Sequence, residues 1–266
     1  MGRMTGKVVL VTGAARGMGR SHAIRLAEEG ADLILVDICS SIDGIGYAMS
    51  SAEDLASTVK EVEALGRRVH AARVDVRDRQ LMQDVVGTGV ERLGHLDGAV
   101  SNAGVLTCGT WESTTDKDWR TVLDVNLIGT WNTCLASIPH MLERGGSLVN
   151  ISSAAGIKGT PLHLPYTASK HGVVGLSMAL ANELANHAIR VNTVHPTGVE
   201  TGIEAPRLME MLSGERQDLG PIFQNAMPTF YIDAVDVSNA VLYLLSDEAR
   251  FVTGTQLKVD AGVTIR

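Results

Sequence analysis

The sequence predicts an α/β chain folded as one domain over 1–266, a doubly wound parallel sheet of about seven strands with helices on both faces. Three observations carry this. Short apolar runs rich in β-branched residues recur near 8–11, 31–36, 69–74, 98–101, 147–151, 189–194 and 256–259. Helical stretches lie between them, near 20–29, 52–65, 78–93, 116–142, 165–186 and 233–245. No linker, low-complexity tract or repeat interrupts the alternation. Strands this apolar belong in a sheet buried on both faces, the Rossmann type of architecture.

The first strand, Val-Val-Leu-Val (8–11), runs directly into Thr12-Gly13-Ala14-Ala15-Arg16-Gly17-Met18-Gly19 and then an amphipathic helix. Gly13 permits the tight turn, Gly17 lets backbone approach a pyrophosphate, and Gly19 allows helix to pack on strand. The helix N-terminus adds N–H donors and a positive dipole end. Arg16 and Met18 stand among these glycines and join the same candidate set. The spacing is Gly-x-x-x-Gly-x-Gly, and its strand–turn–helix setting marks a dinucleotide site. The second strand ends at Asp37, 18 residues after Gly19. An acid about 20 residues beyond the glycine turn binds the ribose 2′-hydroxyl of NAD, and its charge would repel the extra phosphate of NADP. NAD is therefore the expected cofactor, with Ile38 beside the same ribose.

Farther along, Tyr166 and Lys170 occupy Tyr-Thr-Ala-Ser-Lys. At i and i+4 on a helix they share one face. A free tyrosine titrates near pH 10. A neighbouring lysine cation favours the phenolate and is expected to draw that value down. Ser153, at the end of Ser-Leu-Val-Asn-Ile-Ser-Ser, is placed to hydrogen-bond the oxygen that Tyr166 protonates or deprotonates. Such a set interconverts an alcohol and a carbonyl. A Tyr-x-x-x-Lys pair alone is also what any amphipathic helix contains by chance; the dinucleotide site upstream gives it meaning.

Thr-Gly-x-x-x-Gly-x-Gly, Asn102-Ala103-Gly104, Asn126, Ser153 and Tyr166-x-x-x-Lys170 together resemble the short-chain dehydrogenase/reductase family over essentially the whole chain. The resemblance implies a strand order 3-2-1-4-5-6-7. It makes Tyr166 the acid/base and has Asn126 steady Lys170 through a water, while Lys170 also holds the nicotinamide ribose. Ser153 lies 13 residues before Tyr166, the family's spacing, and is preferred to Ser152. Asp75 and Val76, after the strand 69–74, resemble the pair that contacts adenine, and Asn102, Ala103 and Gly104 pass beneath the adenosine ribose. Pro196, Val199 and Thr201 resemble the segment that binds the carboxamide, although here the glycine is displaced to Gly198. Ala-Arg-Gly-Met-Gly-Arg-Ser-His (15–22), Leu-Ile-Leu-Val-Asp-Ile-Cys (33–39) and His-Pro-Thr-Gly-Val-Glu-Thr (195–201) are similar to a carveol-dehydrogenase-like, mycofactocin-associated subgroup. That subgroup implies firmly held NAD and an external peptide-derived redox carrier, while the family resemblance implies a homotetramer packed through the helices near 116–142 and 165–186.

Two segments exceed a minimal fold. The connection 38–52 is far longer than the two to six residues usual between strand and helix. It carries Ile42, Ile45, Tyr47 and Met49, and is expected to form a flap over the adenosine half of NAD rather than a self-packed surface insertion. The stretch 202–231, with Leu208, Met209, Met211, Leu212, Ile222, Phe223, Met227, Phe230 and Tyr231, is expected to close over substrate as an apolar lid. His163 reads more readily as a satisfied loop histidine than as a substrate contact, and neither His195 nor His22 carries a motif of its own. Trp111, Trp119 and Trp131 are expected to anchor the helix after the fourth strand.

Composition bounds the rest. Formal charge is −7 with no basic block, which argues against nucleic acid. Nothing approaches an 18-residue apolar span, so no membrane segment is expected and the cytoplasm is the expected location. The three cysteines are scattered, and no His/Cys/acid cluster has metal-ligand spacing, so no metal is expected. The expectation is an NAD-dependent oxidoreductase acting on a small apolar secondary alcohol or its ketone, possible skeletons including a cyclic terpenoid such as carveol. A 3-oxoacyl-thioester reductase and a non-catalytic NAD-binding regulator are the alternatives. Asp37 argues against the first, and the intact Asn126, Ser153, Tyr166 and Lys170 against the second.

Overall fold

The computed structural model describes residues 2–201, 203 and 206–266. Its strands are β1 (Val8–Thr12), β2 (Asp32–Asp37), β3 (Val69–Arg73), β4 (Gly98–Ser101), β5 (Gly146–Ile151), β6 (Ile189–Pro196) and β7 (Gln256–Val259). They form one seven-stranded sheet in the order β3-β2-β1-β4-β5-β6-β7. Every neighbouring pair is parallel. The order expected from the resemblance is the order found.

The alternating side chains of the strands feed two cores. Val9, Val11, Leu33 and Leu35 pack on one face with Leu26 of α1 (Gly17–Glu28), Val62 of α2 (Ala52–Ala64) and Leu242 of α8, the last helix (Ala234–Leu245). Val8, Leu10, Ile34 and Val36 pack on the other with Met82 of α3 (Arg79–Leu93), Cys134 of α5 and Leu180 of α6, whose ranges follow. This strict alternation, with both halves buried, explains why the central strands read as continuous apolar runs. Local chemistry sets the helix starts. Ser51 and Asp54 form a reciprocal capping box at α2, as do Thr115 and Asp118 at α4 (Asp116–Leu123).

Several expected boundaries shift. The first helix begins at Gly17 and not at residue 20; Arg16 precedes it in extended conformation, with no side-chain cap on the first turn. The stretch 116–142 is not one regular helix. Between α4 and α5 (Gly129–Ser137) the backbone widens into a π-helical turn over Asp124–Ile128, and Pro139 then ends regular α-helix. α6 spans Leu164–Glu183, and β3 stops at Arg73, leaving Asp75 and Val76 in the turn beyond it. The tryptophan expectation is corrected as well. Trp111 is 75% exposed and Trp119 36%, so only Trp131 packs against the helix-side core. Trp111 lies before the capping box that starts α4, outside the helix it was expected to anchor.

Chain direction brings the carboxyl ends of all the strands to one edge of the sheet, and the order reverses between β1 and β4. In open parallel sheets a crevice forms there. Among the described residues no helix is long and apolar enough to cross a membrane.

Candidate active site

A cavity of about 780 Å³ occupies that edge. It is lined by Gly13, Arg16, Gly17 and Met18, by Asp37 and Ile38, by Asp75 and Val76, by Asn102–Gly104, by Ser153, Tyr166 and Lys170, and by Pro196, Val199 and Thr201. Gly19 and Asn126 lie behind this surface. A Cβ on Gly19 would stand 1.9 Å from the Gly13 carbonyl oxygen, so no other residue fits there. Gly17 takes a φ of +54°, and a Cβ on it would meet Thr201 at 3.0 Å. The turn is therefore pressed against the segment that follows β6.

Asp37, 5% exposed, ends β2 facing the turn. One carboxylate oxygen accepts from the Ala15 N–H at 3.0 Å; the other accepts from the Cys39 N–H at 3.0 Å and the Ser50 hydroxyl at 2.6 Å. Ser50 belongs to the 38–52 insertion, so the acid also fastens that segment. Asn102 donates to the carbonyls of Thr12 and Gly13, while its own Oδ1 is buried without a partner among the described residues.

The insertion reaches farther than the adenosine half. Ile42 is buried against the α3–α6 face, with Ile38, Ile45 and Met49 packed beside it. The Tyr47 hydroxyl accepts the Leu106 N–H at 3.1 Å, beyond β4, and the Asp43 carboxylate pairs with Lys117 on α4. Burial pushes the Tyr47 phenol up to about 12, and Tyr166 is near enough to add to that rise.

Tyr166 and Lys170 lie on the first turns of α6. The phenol is half-buried in the cavity wall; burial raises its pKa above the ordinary tyrosine value, and the nearby Ser153 hydroxyl pulls the other way. The expectation that Lys170 draws this value down is not met here. The Lys170 ammonium sits 5.5 Å from the Tyr166 ring centroid and donates to the Ile151 carbonyl at 2.8 Å. Desolvation lowers its own pKa to about 8. Dehydration thus outweighs the attraction between cation and phenolate.

Ser152 and Ser153 point to different tasks. The Ser152 hydroxyl donates to the Lys170 carbonyl at 3.1 Å, tying β5 to α6, whereas Ser153 Oγ accepts from the Ala155 N–H. Asn126 sits inside the π-helical turn, fully buried. Its Oδ1 accepts from the Val105 N–H, and its Nδ2 donates to the Val105 carbonyl and to Ser169 Oγ. It makes no direct bond to Lys170. Gly104 separates the two: a Cβ there would lie 3.4 Å from Asn126 Oδ1 and 3.7 Å from Lys170 Nζ. π-turns of this kind concentrate at functional sites.

A model of the short chain dehydrogenase family matches residues 7–211. The (-)-trans-carveol dehydrogenase of Rhodococcus erythropolis is 46% identical, with 100% of both chains aligned. A crystal structure of a short chain dehydrogenase from Mycobacterium paratuberculosis bound to NAD superposes with a TM-score of 0.97 at 44% identity over 100% of both chains. A carveol dehydrogenase from Mycobacterium avium in complex with NAD gives 0.95 at 45%, again over 100% of both. The chain belongs to the short-chain dehydrogenase family.

In this short-chain dehydrogenase the 202–231 stretch roofs the other end of the cavity; residues 202, 204 and 205 lie outside the described residues. Leu208, Met209 and Leu212 of α7 (Pro206–Ser213) line it, with Ile222, Phe223, Phe230 and Tyr231. Met211 instead points into protein, and Met227 faces solvent. Three contributors escaped the sequence reading. The His195 ring bridges the Ser153 carbonyl at 2.8 Å and Thr193 Oγ1 at 2.7 Å, fixing the backbone that presents Ser153. Lys158 donates to the carbonyls of Ile222, Val263 and Arg266, binding lid and C-terminus to the loop after Ser153. His163, expected to be a satisfied loop residue, is buried on the cavity wall with Nε2 unpartnered among the described residues. Position marked His163, three residues before Tyr166, and His195, beside Pro196, but neither carries a motif, and nothing in the sequence marked Lys158. Among the described residues no cluster of three His, Cys, Asp or Glu stands ready for a metal.

Proposed function

We propose that this short-chain dehydrogenase is an NAD-dependent oxidoreductase that interconverts an apolar secondary alcohol and its ketone. One observation carries the reading: a single cavity joins the glycine turn and Asp37 to Ser153, Tyr166 and Lys170. The residues present fit the dinucleotide. Helix α1 opens without a side-chain cap, leaving its first N–H groups to a pyrophosphate. The orphan Asn102 Oδ1 and the Asp37 carboxylate are acceptors suited to ribose hydroxyls. Asp75 and Val76 would flank adenine, while Pro196, Val199 and Thr201 would meet the carboxamide.

NAD, when bound, supplies the acceptor for the hydride that leaves the carbinol carbon. The protein does the rest. Tyr166 Oη takes the hydroxyl proton as the C–H bond breaks with its electron pair, and returns it in the reducing direction. Ser153 holds the substrate oxygen in reach of that transfer. Lys170, whose burial brings its pKa to about 8, stays mostly protonated at neutral pH and passes the proton inward past Gly104 toward Asn126. The charge on Asp37 selects NAD over NADP.

The lid side chains favour an apolar cyclic substrate, and the carveol dehydrogenases among the relatives support a terpenoid-like alcohol. The insertion holds NAD in place, so that an external redox carrier of the mycofactocin type reoxidises the bound cofactor in the cytoplasm. Exposed Met178 on α6 and Ile128 beside α5 suit a homotetramer. Sedimentation velocity at micromolar concentration tests the assembly, and a fully active monomer would remove it. The central test is reduction of NAD, followed by absorbance, across cyclic secondary alcohols. NAD turnover well above NADP turnover is expected; no turnover in either direction, or a preference for NADP, overturns the reading.

A further inference from the structure

His163 is built into the wall of the cavity in a way that a merely structural histidine does not require. It is 7% exposed, and its ring packs edge-on to two others, Tyr166 at 6.2 Å and Phe223 of the lid at 5.8 Å between centroids. Its backbone is held from both sides. The His163 carbonyl accepts the Thr167 N–H that opens α6, and the Leu162 carbonyl before it accepts the Gly109 N–H. Leu162 adopts a φ of +63°, a left-handed conformation that costs a non-glycine residue free energy and persists only where its surroundings enforce it. The bend sets the imidazole in the cavity wall, with Nε2 buried and without a partner among the described residues. Desolvation lowers its pKa to about 4, so at neutral pH the ring is uncharged, with one nitrogen able to donate and the other to accept. Buried polar atoms are rarely left unsatisfied in proteins, and one on a ring that lines a substrate cavity points to a ligand group that completes it.

We propose that His163 is a specificity residue, hydrogen-bonding a second, neutral oxygen that the substrate carries away from its reacting carbon. The preferred substrates are then cyclic alcohols bearing a further hydroxyl or carbonyl, not monofunctional ones; the proposal rests on the alcohol-dehydrogenase reading above. A carboxylate is disfavoured as the second group. The imidazole is neutral, and Lys158, which also lines the cavity, has its donors committed to the carbonyls of Ile222, Val263 and Arg266. The contact with Phe223 makes the lid part of the same wall, so the second oxygen is read where the carbinol is positioned. Sites with a buried hydrogen-bonding group discriminate strongly against analogues that leave it unpaired.

The test pairs substrates of one skeleton, cyclohexanol against 1,4-cyclohexanediol with NAD and cyclohexanone against 4-hydroxycyclohexanone with NADH, in the wild type and in His163→Phe. Phenylalanine keeps the aromatic packing and removes the nitrogens. The wild type is expected to prefer the doubly oxygenated partner by at least about tenfold in kcat/KM. In H163F that preference disappears, the doubly oxygenated partner losing kcat/KM relative to the monofunctional one. An unchanged preference, or equal loss on both substrates, overturns the role. A second measurement needs no turnover: in ¹⁵N-histidine-labelled wild-type holoprotein, the His163 ring resonances should move on adding 4-hydroxycyclohexanone and not cyclohexanone. If no alcohol is oxidised yet this difference appears, the reaction reading fails and the recognition by His163 stands. If the resonances respond equally or not at all, His163 is a packing residue.

Discussion

Tyr47→Phe isolates the clamp that the 38–52 insertion places over the cofactor cavity. Three fasteners hold this segment: Ser50 on Asp37, Tyr47 on the Leu106 N–H, and Asp43 on Lys117. They are not equal. The Asp43–Lys117 pair is solvent-exposed and contributes little that salt would not remove. Ser50 bonds a carboxylate, but removing it also disturbs Asp37. Tyr47 is the clean probe, because phenylalanine keeps the ring against the cavity and deletes one bond at 3.1 Å. A neutral hydrogen bond contributes a net of about 0.5–1.5 kcal/mol. If it must break before NAD leaves, its loss speeds release about 2- to 13-fold. Replacing the loop by a short turn also gives up the burial of Ile42, worth a further 1.5–3 kcal/mol or about 13- to 160-fold. The assay is exchange of labelled NAD into purified protein, with the melting temperature as a control for folding. Wild-type exchange in both variants would refute the clamp and leave the insertion a surface loop.

Other consequences follow from the same geometry. Tyr166→Phe should lower turnover by about two to four orders of magnitude while NAD affinity holds, since only the transferring hydroxyl is lost; near wild-type turnover, with chemistry shown to be rate-limiting, excludes it as the acid/base. Asp37→Asn should narrow the ratio of kcat/KM for NAD over NADP by removing the repulsive charge, and an unchanged ratio means another group reads the ribose. Acid should destabilise the fold partly through His22, which is buried on Ser238 with a pKa lowered to about 3 by desolvation. Below the ordinary histidine value of about 6.5 the unfolded chain takes up a proton that the folded chain refuses, so this part of the stability falls with pH from there to about 3. Between pH 7 and 5 the loss is about 2 kcal/mol. His22→Leu should flatten urea midpoints over that interval by a matching amount, whatever its effect at pH 7.

The parts of the site legible in the sequence are those whose chemistry is local. The glycine turn announces itself because Gly19 admits no side chain and follows a strand buried on both faces. Tyr166 and Lys170 share a helix turn, so their spacing is their geometry. What escaped depends on distant backbone. The π-helical turn around Asn126 leaves no mark in a continuous helical pattern. Tyr47 meets Leu106 across 59 residues, and Lys158 meets Arg266 across 108. His195 has no motif because its work is done through the Ser153 carbonyl, a backbone atom that every residue possesses.

The error about Tyr166 has the same origin. Spacing puts a lysine near a tyrosine but says nothing of how dry the pair is. In the folded chain both are enclosed, and burial moves them in opposite senses: the phenol upward and the ammonium down to about 8. Each shift favours the neutral form and drives apart two values that lie close together in the free groups, so a charge on either group costs more here than in water. Forming the phenolate that takes the substrate proton therefore depends on Ser153 and the ammonium, which are placed to stabilise that charge. Enclosure by the cavity walls is thus part of the chemistry, because the burial that makes the phenolate costly also strengthens the contacts that Ser153 and the ammonium make with it.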